Sequence, residues 1–167
     1  FNSRINLNLR EDKGYSYGAF SGFNGNRYYG TFTAQAAVRT DATTDSLVQF
    51  ENEIRSYAES GLTEPELTFM RKAIGQRDAR NYETPGQKLG FLSRILVHDL
   101  DETFVDAQND ILDTISEDEL NQLASKHLEF DDMIIVVVGD KATILPGLEE
   151  LGYEIIELDA EGNRIDT

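Results

Sequence analysis

At 167 residues, 40% of them apolar, the chain is long enough to bury one core and is expected to form a single domain. Its formal charge of −16, from 31 acidic against 15 basic residues spread along the chain, excludes a duplex or phosphate binder and reads as a solvated surface rather than a chamber that attracts basic peptides. Cysteine is absent, which excludes disulfides, thiolate nucleophiles and Cys-based zinc sites and leaves the redox compartment open.

The first ten residues carry two patterns at once. Ile5, Leu7 and Leu9 alternate as in a strand, whereas Phe1, Ile5 and Leu9 recur at helical spacing. Tyr15 to Phe23 and Tyr28 to Val38 are rich in aromatic residues, Thr and Ala, and are separated by Asn24-Gly25-Asn26. An Asn-Gly pair between such runs predicts an antiparallel hairpin. The period then changes. Leu47, Phe50, Ile54, Tyr57 and Ala58 form one apolar face of a helix that stops at Gly61. "TEPE" opens a second helix through Leu67, Met70 and Ile74, with Thr63 as N-cap, Pro65 in the first turn and Glu66 at the capping-box position.

Three further helices follow: "TPGQKLGFLSRIL" with Leu89, Leu92 and Leu96 inward, "DETFVDAQNDIL", and "SEDELNQLASKHL" capped by Ser116 with Glu119. "MIIVVVGD" reads as a short strand buried on both faces, "ATILPGLEEL" as a helix ended by Gly152, and "YEIIEL" as a last strand. Strands at both ends with helices between them predict an α+β fold: a mixed, mainly antiparallel sheet with helices packed on one face. The apolar run at Met133 is far too short to span a membrane. The chain lacks an initiator Met and starts inside a patterned segment, so a piece of a longer protein is expected. A sheet missing its first strands would leave an edge open to pairing or self-association.

Catalytic motifs are scarce. The two histidines, His98 and His127, lie outside H-E-x-x-H and H-x-x-E-H. His98 has Asp99, Asp101 and Glu102 nearby, a set that reads as a solvated turn before it reads as a metal cluster. His127 suits the last turn of its helix, where a cation meets the C-terminal dipole. There is no G-x-S-x-G and no phosphate-binding loop; "GFNGNRYYG" lies between strand patterns and reads as a turn. The aromatics Tyr15, Tyr17, Phe20, Phe23, Tyr28, Tyr29 and Phe32 read as sheet packing rather than a base-stacking platform.

One stretch carries more. "FNSRINLNLREDKGYSYGAFSGF" resembles a segment of the non-catalytic C-terminal half-domains of the insulinase/pitrilysin family of zinc metallopeptidases. That pattern runs F-x-S-R-L, then L-R-E-x-x-G-x-x-Y, and is matched by Phe1, Ser3, Arg4, Ile5, Leu9, Arg10, Glu11, Gly14 and Tyr17. "ESGLTEPELTFMRKAI" and "MIIVVVGDKATILPGLEELG" resemble a later helix start and the closing strand and helix of the same domains. The resemblance implies that residues 1 to 10 form a helix entering the hairpin, with Phe1, Ile5 and Leu9 buried. The family's upstream strands and its H-x-x-E-H zinc motif are not found in this sequence.

It also implies roles for two side chains. In the resembled enzymes the Arg and Tyr of this element face the zinc half across the cleft, and those positions fall on Arg10 and Tyr17. Tyr17 would donate to the scissile carbonyl, where an oxyanion develops, and Arg10 would hold substrate backbone. This fragment itself would hold no zinc and cleave nothing. Zinc is expected in a companion half-domain, and a peptide is the expected substrate. Without the resemblance, Arg10 would be read as a surface partner of Glu11 or Asp12 and Tyr17 as a sheet-packing residue. Two further readings are a non-catalytic interaction subunit of the same fold and an unrelated acidic α+β binding domain.

Overall fold

The computed structural model describes residues 3–78, 83–101 and 103–165, with the backbone alone at 76–78, so Phe1 and Glu102 lie outside the described residues. A helical turn, α1 (Arg4–Asn6), runs directly into a π-helix (Leu7–Asp12). Strands β1 (Ser16–Gly25) and β2 (Gly30–Val38) pair antiparallel. A 3-10 turn (Thr40–Ala42) leads into α2 (Thr43–Ser60), followed by α3 (Glu64–Asp78), α4 (Pro85–His98), α5 (Phe104–Thr114), α6 (Glu117–His127), a 3-10 turn (Phe130–Asp132) and α7 (Lys141–Glu149). The fold class is α+β, as expected.

The chain divides into two compact units, one of residues 1–20, 35–51 and 134–167, the other of residues 21–34 and 52–133. In the first, Ile5, Leu9, Ala19, Ala42 and Ile144 are buried, Leu9 completely. Ile5 and Leu9 sit four residues apart on one helical face, while Leu7 between them is 42% exposed, so the helical reading of this segment prevails over the strand reading. In the second unit, Ile54, Leu62, Leu67, Ala124, Leu128 and Phe130 are buried.

Side chains tie the helices of the second unit together. Asn121 of α6 accepts the Leu62 N–H at 2.9 Å just past the end of α2. The intervening Gly61 has φ +69°, and a Cβ there would lie 2.1 Å from the Asn121 side chain, so both backbone and space require glycine. Arg71 of α3 donates to the carbonyl of Leu112, at 3.0 Å, and to that of Ile115, satisfying orphan acceptors at the end of α5. The caps read in the sequence at Thr63 and Ser116 are found, and Thr84 supplies a further one. Thr84 with Gln87 and Ser116 with Glu119 form reciprocal capping boxes, and the Glu66 carboxylate accepts the Thr63 N–H at 2.7 Å.

Four local expectations are corrected. Asn24 and Gly25 belong to β1, and the hairpin turns at residues 26–29, where the Asn26 side chain accepts the N–H groups of Tyr28 and Tyr29 at 2.8 and 3.2 Å. This Asx turn moves the loop two residues downstream. Leu89, Leu92 and Leu96 of α4 are 64%, 55% and 81% exposed rather than inward. Residues 134–138 and 153–157 form no strand; the nearest ladder contact is the isolated bridge between Leu158 and Arg164. Among the described residues nothing pairs with the 134–138 run, and Ile134, Val136 and Val138 stand open. A strand apolar on both faces needs neighbours that this sheet of two strands does not supply. Sheet packing of the aromatics is realised only in part: Phe23 and Phe32 meet with ring centroids 5.1 Å apart, whereas Tyr17, Phe20, Tyr28 and Tyr29 are exposed.

Candidate functional site

Arg10 and Tyr17 flank one tight turn. Arg10 sits in the π-helix, whose winding shows in the bond from the Lys13 N–H to the Asn8 carbonyl, five residues back, at 3.0 Å. The helix closes with the Tyr15 N–H on the Leu9 carbonyl at 2.8 Å. Between them Gly14 adopts φ +63°, the left-handed conformation that reverses the chain at little cost only in glycine. Strand β1 then presents Tyr17 to solvent, fully exposed. Two residues along the same strand Ala19 is buried, and its N–H donates to the Asn6 Oδ1 at 2.9 Å. Asn6 is itself buried, so one carboxamide ties the incoming helix to the outgoing strand.

The turn is also held from α2. Asp45 accepts from the Lys13 ammonium at 2.9 Å and from the Tyr15 hydroxyl at 2.8 Å on one oxygen, and from the Gln49 amide at 3.1 Å on the other. Gln49 in turn accepts from the Asn8 amide at 3.1 Å. Lys13 and Arg39 lie over the Tyr15 ring, 5.4 and 5.7 Å from its centroid, and the Arg39 N–H donates to the Tyr15 carbonyl at 3.0 Å. Hydrogen bonds from Lys13 and then Tyr15 hold the Asp45 carboxyl below the usual carboxylate range. The same carboxylate pushes the Tyr15 phenol and the Lys13 ammonium up.

Of the two residues singled out in the sequence, Tyr17 does not pack on the sheet, and Arg10 does meet the surface partner foreseen for it, its Nε lying 3.4 Å from Glu11. The acids near His98 are engaged in helix ends: Asp99 is the left-handed C-cap of α4, and Asp101 accepts the Thr103 N–H and hydroxyl at 2.8 and 2.7 Å. His98 and His127 both fall in last turns, where the dipole favours them. Among the described residues no group of three or more His, Cys, Asp or Glu is placed to hold a metal ion, and none fits a tetrahedral zinc. The sequence reading missed Asp45, Gln49, Asn8 and Asn6. The one local signal was the i, i+4 pair Asp45 and Gln49 on a helix face; the residues they grip in the turn lie 30 to 41 positions away.

Comparison with known proteins bears on this element. Residues 1–74, which include Arg10, Tyr17 and Asp45, match the family model described as the peptidase M16 inactive domain. Among solved structures, the crystal structure of a peptidase M16 inactive domain from Pseudomonas fluorescens is similar at a TM-score of 0.70 and 19% identity, over 77% of this chain. The match covers 31% of that protein, so the chain spans about a third of its length. No curated protein sequence matches. Residues 1–74 thus match the inactive-domain pattern, and over three quarters of its length the chain has the fold of that solved domain.

Proposed function

We propose that this chain is the substrate-positioning, non-zinc half of a zinc-dependent peptidase, with Arg10 and Tyr17 lending hydrogen-bond donors to a composite cleft. The observation that carries this reading is the complete exposure of Tyr17 on strand β1, inside the matched segment. A phenol held on a rigid strand can donate to a peptide carbonyl without first giving up an internal partner. A guanidinium one turn away supplies donors for a second carbonyl of an extended peptide. On this reading the metal and the attacking nucleophile belong to a companion half-domain.

The test is steady-state kinetics on a quenched peptide with the full-length protein that carries both halves. Tyr17→Phe is expected to lower kcat by about 10²–10³-fold, about 2.7–4 kcal/mol, with little change in KM, because an oxyanion donor acts in the transition state. Arg10→Ala is expected to raise KM as well, since holding substrate backbone contributes to the ground state. Unchanged kcat/KM in Tyr17→Phe would favour a second reading, an interaction subunit of the same fold. The Arg10–Glu11 ion pair, an ordinary surface contact, is the observation on that side.

A further inference from the structure

We infer that Asp45 is a positioning residue for the composite cleft: by gripping Lys13 and Tyr15 at once it fixes the connector between Arg10 and Tyr17. The inference rests on the peptidase reading above.

Only residues 11–16 separate those two side chains, and their path contains a left-handed glycine with no side chain of its own to anchor it. Asp45 holds the residue on each side of that glycine. Gln49 extends the grip to Asn8 inside the π-helix, so a single face of α2 touches the segment before Arg10 and the segment before Tyr17. The bond from the Arg39 N–H to the Tyr15 carbonyl and that from the Ala19 N–H to Asn6 add two further ties to the frame. Asp45 and Lys13 remain 43% and 31% exposed in their side chains, and ion pairs that open to water add little to stability. What such a pair can do is narrow the orientations of the groups it touches. Catalysis is sensitive to that, because a misplacement on the order of 1 Å costs about 10²-fold in rate.

The experiment is a double-mutant cycle in the full-length peptidase. Asp45→Ala alone is expected to lower kcat/KM by roughly 10- to 100-fold while the melting temperature falls only slightly. Asp45→Asn, which keeps an oxygen acceptor for Tyr15 but loses the charge facing Lys13, is expected to retain most of the activity. In a Tyr17→Phe background Asp45→Ala is expected to cost much less than it does alone, because it acts through that hydroxyl. Amide hydrogen exchange over residues 13–17 is expected to accelerate in Asp45→Ala. Full additivity with Tyr17→Phe, or an Asp45→Ala enzyme as active as the parent, would overturn the inference while leaving the peptidase reading intact. A Tyr17→Phe enzyme with unchanged kcat/KM would remove that reading and the inference with it.

Discussion

Two segments of the same compact unit are finished in opposite ways. Residues 8–17 turn tightly through polar side chains, and the carboxylate, carboxamide and backbone groups described there find partners within the unit. Residues 134–138 are apolar, with Ile134, Val136 and Val138 turned to solvent and no ladder beside them among the described residues. The difference is one of range. A turn can be completed by a few directional bonds from one neighbouring helix, whereas a strand apolar on both faces needs whole strands or helices against it. Polar detail is thus settled locally in this chain, whereas an apolar pattern depends on what is packed against it.

The comparison can be broken most forcefully at Leu9, which anchors the turn from beneath with no exposure at all. Leu9→Ala is expected to cost about 2–5 kcal/mol in urea unfolding; a loss below 1 kcal/mol would mean that the polar frame holds the turn without its apolar floor. Asn6→Ala comes next. It strands the buried Ala19 N–H and is expected to cost about 1–3 kcal/mol, while Asn6→Asp, which keeps an acceptor, should cost less.

Acidity sharpens the comparison further. The Asp45 pKa is lowered on folding, so its contribution is present above the ordinary carboxylate value and is lost as pH falls through the folded value. The Tyr15 and Lys13 values are raised, so theirs are present below the ordinary phenol and ammonium values and are lost as pH rises through the folded ones. Amide exchange at residues 13–17 should therefore be flat between about pH 5 and 9 after correction for intrinsic rates, and should quicken on either side. A single inflection near neutrality would point to a different group. The smallest effect is expected at the open run: Val136→Lys should change stability by no more than about 0.5 kcal/mol, and a loss of several kcal/mol would show that the valine is covered in solution.

What the sequence disclosed follows the same division by range. Ser116 with Glu119 and Thr63 with Glu66 are decided within four residues, and both are found paired at their helix starts. The hairpin was legible from its two flanking runs, but its loop was not, because the Asn26 side chain competes with the Asn-Gly pair for the turn. Leu89, Leu92 and Leu96 have the spacing of a buried helix face, yet spacing says only that a face is apolar and leaves open what meets it. Arg10 and Tyr17 were reached through a family resemblance, since seven residues of separation carry no chemistry by themselves. Asp45 was invisible because its partners are 30 and 32 positions distant.

The π-helix over Leu7–Asp12 gives this segment an uncommon response to changes in length. Its backbone bonds reach one residue further than those of an α-helix, so one residue can be removed there and the remainder can close into ordinary i→i+4 winding. In most helices a deletion rotates everything beyond it out of register. Here it would use up the slack in the coil and swing the arginine around the axis while the buried leucine kept its seat. Variation by a single residue, usually confined to loops, would in this protein retune the angle of a side chain from inside a helix.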